Sequence, residues 1–252
     1  MIEKQANSLR YFEFPNFSDH QGVAHGLFTR NGGSSQGAFQ GLNMSLTIGD
    51  NAVSVYENRA AVCGFFHGER LVTLKQVHGT EVFCYEKQMN IDNDQVEADA
   101  VLTDEKGVLL LIQTADCQAV MLHDPVKGVV GNIHAGWRGS VAGIIGKTIR
   151  TMTKRYGSRA QDILAGVGPS LGPCCAEFVN YATEIPESLW IYKDNRHYFD
   201  FWAISQNQLE EEGVNRENIC LSRLCTVCNK DLFFSFRRDK LTGRLANVIG
   251  LI

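Results

Sequence analysis

No run of apolar residues in this sequence is long enough to cross a membrane, and its opening, Met1-Ile2-Glu3-Lys4-Gln5-Ala6-Asn7-Ser8, has no hydrophobic segment of the kind that marks a secretory signal. Those absences argue against a membrane partner and against secretion, and the expected location is the cytoplasm. Basic charge is not in excess either. The 24 Lys and Arg face 28 Asp and Glu, for a formal net charge of −4, which leaves no electrostatic footprint for a nucleic acid and makes small metabolites the expected partners. Internal repeats and low-complexity linkers are also missing, which excludes solenoid and array architectures. What remains is 252 residues, 44% hydrophobic and 21% charged. That composition suits one domain over residues 1–252, existing as monomer or homodimer, with disorder confined to roughly the first dozen residues. Eight cysteines without a signal segment read as reduced thiols. Cys63, Cys84 and Cys220 sit in apolar surroundings and read as packing residues.

Short apolar runs dominate the middle of the chain. Strands are expected over Leu71 to Leu74, Glu81 to Tyr85, Ala98 to Leu102, Val108 to Ile112, Gln118 to Leu122, Val129 to Ile133 and Ile163 to Val167. The run Val108-Leu109-Leu110-Leu111-Ile112 is apolar on both faces, so its strand should be covered on both sides. Helical spacing is found over Val53 to Phe65, Val141 to Tyr156 and Trp202 to Glu212, with Gly157 and Gly213 as stops. Strands and helices interleave without a regular βαβ rhythm, so the expected class is α+β with a mixed sheet.

Two histidines and a cysteine stand out because each interrupts an apolar stretch: His78 in Lys75-Gln76-Val77-His78-Gly79, Cys117 in Thr114-Ala115-Asp116-Cys117, and His134 in Ile133-His134-Ala135-Gly136-Trp137-Arg138-Gly139. Two neutral imidazoles and a thiolate are donors that zinc accepts, and three protein ligands leave a fourth tetrahedral position open, as at a catalytic zinc. The separations of 39 and 17 residues place the three on different elements, so the fold must bring them together. Cys117 precedes one strand and His134 ends another, so adjacent strands could present both at one rim of a sheet. Asp116 or Gln76 could orient an imidazole. The same residues support a metal-free alternative, with Cys117 as nucleophile and His134 as its base.

These segments, together with Thr29-Arg30-Asn31-Gly32-Gly33-Ser34-Ser35, Gly166-Val167-Gly168-Pro169-Ser170 and Phe234-Ser235-Phe236-Arg237-Arg238-Asp239, resemble the YfiH family, also called the laccase-domain or multicopper polyphenol oxidase family. The resemblance runs from about Gly26 to the C-terminus, with the motifs in family order. It implies a zinc site formed by His78, Cys117 and His134, and a mixed-sheet or β-sandwich core flanked by helices, related to cysteine hydrolases of the cytotoxic necrotizing factor type. The family is associated with purine nucleoside phosphorolysis and adenosine deamination, and older names in it claim laccase activity or peptidoglycan editing. A laccase needs several His-X-His pairs to hold its coppers; seven histidines and no such pair make copper at most an adventitious occupant.

Phosphorolysis requires cationic and amide donors for phosphate. Arg30, in its glycine-rich loop, and Arg138 are the candidates, and Arg30, Asn43, Gln76 and Arg138 are the expected substrate-binding residues, with Cys117, His134 and Arg138 catalytic. Deamination could use the same zinc, through a water of lowered pKa attacking C6 of adenine. A cysteine-type amidase or peptidoglycan-editing hydrolase, and a non-catalytic metabolite-binding domain, are the competing functions.

Other motifs read as structural. Gly146-Lys147-Thr148 resembles the end of a phosphate loop, but Val141 stands where the required glycine should be. Cys225-Thr226-Val227-Cys228 with Cys174 and Cys175 could form a structural zinc site, yet adjacent cysteines chelate one ion poorly, so packed thiols are expected. His123 reads as a solvent-exposed turn residue. Phe233 to Asp239 reads as a strand with an ion-pairing end whose aromatics could stack on a purine. Gly166 and Gly168 read as a tight turn bordering the pocket.

Overall fold

The computed structural model describes residues 1–89, 91 and 93–252. Among the described residues twelve strands run in chain order: β1 Ile2–Ala6, β2 Leu9–Glu13, β3 Val23–Phe28, β4 Arg70–Thr73, β5 Val82–Cys84, β6 Ala100–Thr103, β7 Val108–Thr114, β8 Gln118–Asp124, β9 Val129–Ala135, β10 Leu164–Val167, β11 Ile219–Leu221 and β12 Leu245–Leu251. They form two mixed six-stranded sheets, ordered β1-β2-β3-β12-β7-β4 and β11-β10-β8-β9-β6-β5. Pairs β4–β7, β5–β6 and β10–β11 are parallel, and the others are antiparallel. Among the described residues no helix is long and apolar enough to cross a membrane.

The sheets pack face to face. Leu27, Val72, Leu110, Ile112 and Ile249 of the first meet Val101, Ala119, Met121 and Val130 of the second in one apolar cluster. Strand period decides the rest. Leu109 and Leu111, alternating with Leu110, face outward under helix α1 (Ala52–Phe65), so β7 is covered on both faces. The outer face of the second sheet takes Ile145, Ile149 and Met152 of α3 (Ile144–Tyr156) and Leu209 of α4 (Phe201–Glu211). The result is four layers, helix, sheet, sheet, helices. Buried amides pin the sheets together: Asn132 Nδ2, on β9, donates to the carbonyls of Leu110 and Asn247 in the opposite sheet, each at 2.9 Å. Truncating Asn132 would leave those acceptors buried without this donor, a loss of about 1–3 kcal/mol.

Several expectations are corrected. The first dozen residues are not disordered; they form most of the β1–β2 hairpin, with Leu9, Tyr11 and Phe12 buried. The helix expected from Val141 is broken: α2 (Trp137–Val141) ends before Gly143, whose φ of 81° starts α3 afresh. His123 is buried at 4% exposure. The stretch from Phe233 is not a strand: three residues of irregular backbone lead into a short helix, α5 (Phe236–Asp239), because the Ser235 hydroxyl accepts from the Arg238 amide and caps it. Gly166 lies within β10 under the Phe14 ring, where a Cβ would come within 2.4 Å of ring carbons, so packing and not a turn requires glycine there.

Candidate metal centre and active site

The chain crosses between the sheets at one end of the sandwich; two of the three candidate donors lie on those crossings, and the third, His134, stands near the end of β9. The segment from β4 to β5 carries His78, and the three residues between β7 and β8 carry Ala115, Asp116 and Cys117. In the β8–β9 ladder Gln118 pairs with Ala135 and Ala119 with His134, so Cys117 comes to the end of β9 beside Gly136. The donor atoms of His78, Cys117 and His134 all lie within 4.8 Å of one another, with His78 Nε2 3.8 Å from Cys117 Sγ. His78 is exposed, Cys117 half-buried and His134 buried. His78 and Asp116 have φ of 60° and 92°, in the left-handed region that non-glycine residues seldom occupy, which marks a backbone held by its surroundings.

Asp99 does much of the holding. This carboxylate, fully buried, accepts from His134 Nδ1 at 2.7 Å and from the amides of His78 at 2.9 Å and Gly79 at 2.7 Å. With Nδ1 committed, His134 has Nε2 left for a ligand. Burial alone would raise the Asp99 carboxyl, but the hydrogen bonds from His134, Gly79 and His78 hold it below its ordinary value. Burial would likewise push the Cys117 thiol up, yet the charges and hydrogen bonds of His134 and His78 bring it down to about 6. His134, lowered by burial but facing the Cys117 sulfur and Asp99, rises to about 9. The surroundings thus favour the thiolate form of Cys117 and the protonated form of His134, the latter braced by the Asp99 carboxylate.

Two clefts open from this centre and share His78, Ala115, Cys117 and Phe236. One, of about 370 Å³, is lined by Ser45, Leu46, Thr47, Ile48, Gln76 and Arg244. The other, of about 320 Å³, is aromatic and cationic, with Trp137, Phe178, Phe201, Arg138, Arg237 and Lys240. The Arg138 guanidinium stacks 4.3 Å from the Trp137 ring centroid.

The remaining expected residues are distributed unevenly. Gln76 lines the first cleft with its amide fixed, donating to the Gln113 carbonyl and accepting from the Gln113 amide at 2.8 Å each. Asn43 is fully buried; its Oδ1 accepts from the amides of Ser45 and Arg244, so it shapes the cleft wall from behind. Arg30 lines neither cleft and stacks on Phe234 at 4.5 Å. Its loop is glycine-rich because the backbone passes close to itself: a Cβ on Gly41 would fall 1.9 Å from the Arg30 carbonyl oxygen. Asp116 orients neither imidazole. It accepts from Thr226 Oγ1 and the Arg237 amide, each at 2.6 Å. Sequence reasoning missed Asp99 and Arg244. Asp99 carried one usable signal, an acid opening the apolar run Ala100-Val101-Leu102.

The sequence model of the family described as "Multi-copper polyphenol oxidoreductase laccase" matches residues 24–252. The chain is 36% identical over 247 residues to "Purine nucleoside phosphorylase YlmD" of Geobacillus stearothermophilus, covering 91% of this chain and 90% of that protein. It is 32% identical to "Purine nucleoside phosphorylase YfiH" of Escherichia coli, covering 94% and 98%. The crystal structure of YlmD from Geobacillus stearothermophilus superposes with a TM-score of 0.88 at 33% identity over 98% of this chain and 97% of that one.

Proposed function

The chain belongs to the YfiH family, described as multi-copper polyphenol oxidoreductase laccase, and from that premise we propose that it is a zinc-dependent purine nucleoside phosphorylase. The reaction joins phosphate to inosine, guanosine, adenosine or methylthioadenosine and gives the free base and the pentose 1-phosphate, with adenosine deamination as a second activity.

The observation that carries this reading is the pair of unlike clefts meeting at His78 and Cys117, one cationic and one not dominated by cations. Arg138, Arg237 and Lys240 suit a phosphate dianion. No protein acceptor takes a hydrogen bond from the Arg138 side chain among the described residues, so its planar fork is free for a bidentate oxyanion while Trp137 holds its plane. Ser45, Thr47 and Gln76 offer polar partners for ribose hydroxyls, and Leu46 and Ile48 an apolar seat for a base. Phe236, on the border of both clefts, can cover the bond to be broken.

The donors fit zinc. A tetrahedral ion with bonds of about 2.1 Å to nitrogen and 2.3 Å to sulfur separates N and S by about 3.6 Å, close to the 3.8 Å between His78 and Cys117. His78, Cys117 and His134 would hold it, and when bound it supplies a Lewis acid where the clefts join. Copper chemistry of the laccase kind finds less support: the other donor group among the described residues consists of four cysteines and contains no histidine. The decisive assay incubates the purified protein with inosine or adenosine, with and without phosphate, and separates bases from sugar phosphates. Phosphate-dependent release of base supports the proposal; no release with the protein metal-loaded refutes it.

A second reading rests on one observation. Cys117, His134 and Asp99 line up as nucleophile, base and orienting acid without any metal, in keeping with the relation to cysteine hydrolases that the resemblance implies. That reading requires amide or peptidoglycan cleavage that survives chelation.

A further inference from the structure

Four cysteines outside this centre converge on the back of the aromatic cleft. Cys174 and Cys175 lie on the turn Pro173–Cys175, beyond β10, and beyond β11 Cys225 precedes a turn that Cys228 ends. The expected packed thiols are drawn together: all four Sγ atoms lie within 4.8 Å of one another. Cys228 Sγ is 3.5 Å from that of Cys174 and 3.6 Å from that of Cys175. A disulfide needs a separation of about 2.05 Å, whereas a tetrahedral four-thiolate ion with bonds of about 2.3 Å sets its sulfurs about 3.8 Å apart. Adjacency of Cys174 and Cys175 is accommodated by the turn, in which the amides of Cys175 and Ala176 both donate to the Gly172 carbonyl.

Two further observations point to an ion. The Cys225 sulfur accepts from the Gly172 amide at 3.4 Å, the kind of outer contact that orients a metal-binding sulfur. Two guanidiniums grip the cysteine-bearing turns: Arg237 Nη1 donates to the carbonyls of Cys175 and Glu177, and Arg238 Nη1 to those of Thr226 and Val227. A divalent cation on four thiolates carries a net charge of about −2, which these arginines offset.

We propose that Cys174, Cys175, Cys225 and Cys228 form a second metal site, a closed four-thiolate zinc centre with a structural role. Binding converts four thiols to thiolates and releases four protons, with no change of oxidation state. The site staples segments 54 residues apart. Its effect reaches the first centre through Asp116, which takes hydrogen bonds from Thr226 and Arg237 on one side and adjoins Cys117 on the other. It thereby fixes the wall that carries Leu171, Phe178 and Arg237.

The test removes the first centre and asks whether the second still binds. Cys117→Ser protein, purified reduced and without chelator, is loaded with cobalt. One equivalent should bind, with the intense visible bands and sulfur-to-cobalt charge transfer of a tetrahedral four-sulfur site, and adding Cys174→Ser and Cys228→Ser should abolish both. Should the triple variant fail to fold, the Cys117→Ser spectrum decides alone. Folded Cys117→Ser protein that binds no cobalt, or shows a spectrum without four-sulfur character, overturns the proposal. So does mass spectrometry of freshly purified wild type showing a disulfide among these four cysteines.

Discussion

Asp99 and His134 sit directly opposite each other at the end of the β6–β9 ladder and are joined twice. The His134 amide donates to the Asp99 carbonyl, and His134 Nδ1 meets the Asp99 carboxylate, both at 2.7 Å. A backbone bond and a side-chain bond between the same two residues leave the imidazole little freedom to turn. The same carboxylate anchors the His78 loop.

Asp99→Asn should therefore weaken zinc binding by about 10- to 100-fold, because an amide has one acceptor oxygen and its NH₂ would confront either the Gly79 amide or the His78 amide and His134 Nδ1. Competition against a chelating dye measures this. Unchanged affinity would mean that the imidazoles are oriented by something else.

Gly136→Ala tests the closeness of the donors from the other side. A Cβ there would stand 2.7 Å from His78 Cδ2 and 3.3 Å from Cys117 Sγ. The exposed His78 ring is the part able to yield, so metal occupancy should fall at least about tenfold while the melting temperature moves little. Full occupancy in the variant would show that the ring has room.

Arg138→Ala should raise KM for phosphate by about 10- to 100-fold, the worth of a lost charge-assisted hydrogen bond of roughly 1.5–3 kcal/mol. KM for the nucleoside should change little, and lysine should restore part of the loss. Arg30→Ala, whose side chain lines neither cleft, serves as the control and should leave both constants alone. A parallel collapse of both constants in Arg138→Ala would assign that residue to the fold.

His25 sets an acid limit on stability. Its Nε2 accepts from the Phe14 amide at 2.7 Å, and burial lowers its pKa from 6.5 to about 4. The folded state therefore prefers the neutral ring. Its contribution is complete above pH about 6.5 and is lost as pH falls through about 4, amounting to about 3 kcal/mol. His25→Gln should flatten the fall in melting temperature between pH 7 and pH 4; identical slopes would remove His25 from the account.

What could be read from the sequence followed the apolar runs. β7, β8 and β9 start where their hydrophobic stretches start, at Val108, Gln118 and Val129. The three candidate donors, His78, Cys117 and His134, were legible because each breaks such a run. β1 was illegible because four of its five residues are exposed and it has no buried face to alternate. β12 hides a buried Asn247 whose amide is satisfied only across the sheet, by Ile112 and Thr114, a partnership that no local pattern announces. Phe233 to Asp239 imitates strand alternation, and one serine cap decides otherwise. The meeting of the four cysteines was not legible for a similar reason: Cys174 and Cys175 are neighbours in sequence, while Cys228 reaches them from more than 50 residues away.

The place of β12 in the first sheet has a kinetic consequence. It lies between β3 and β7, so residues 23–28, paired with β2 on one edge, find the partner for their other edge only in residues 245–251. During synthesis the β1–β2–β3 meander must emerge with the β3 edge open, and wait for nearly the whole remaining chain before that edge is covered. The second sheet, assembled largely from β8, β9 and β10, can close much earlier. A nascent chain stalled before residue 245 should thus present one formed sheet and one exposed edge, the form in which this protein is most open to chaperones and to aggregation.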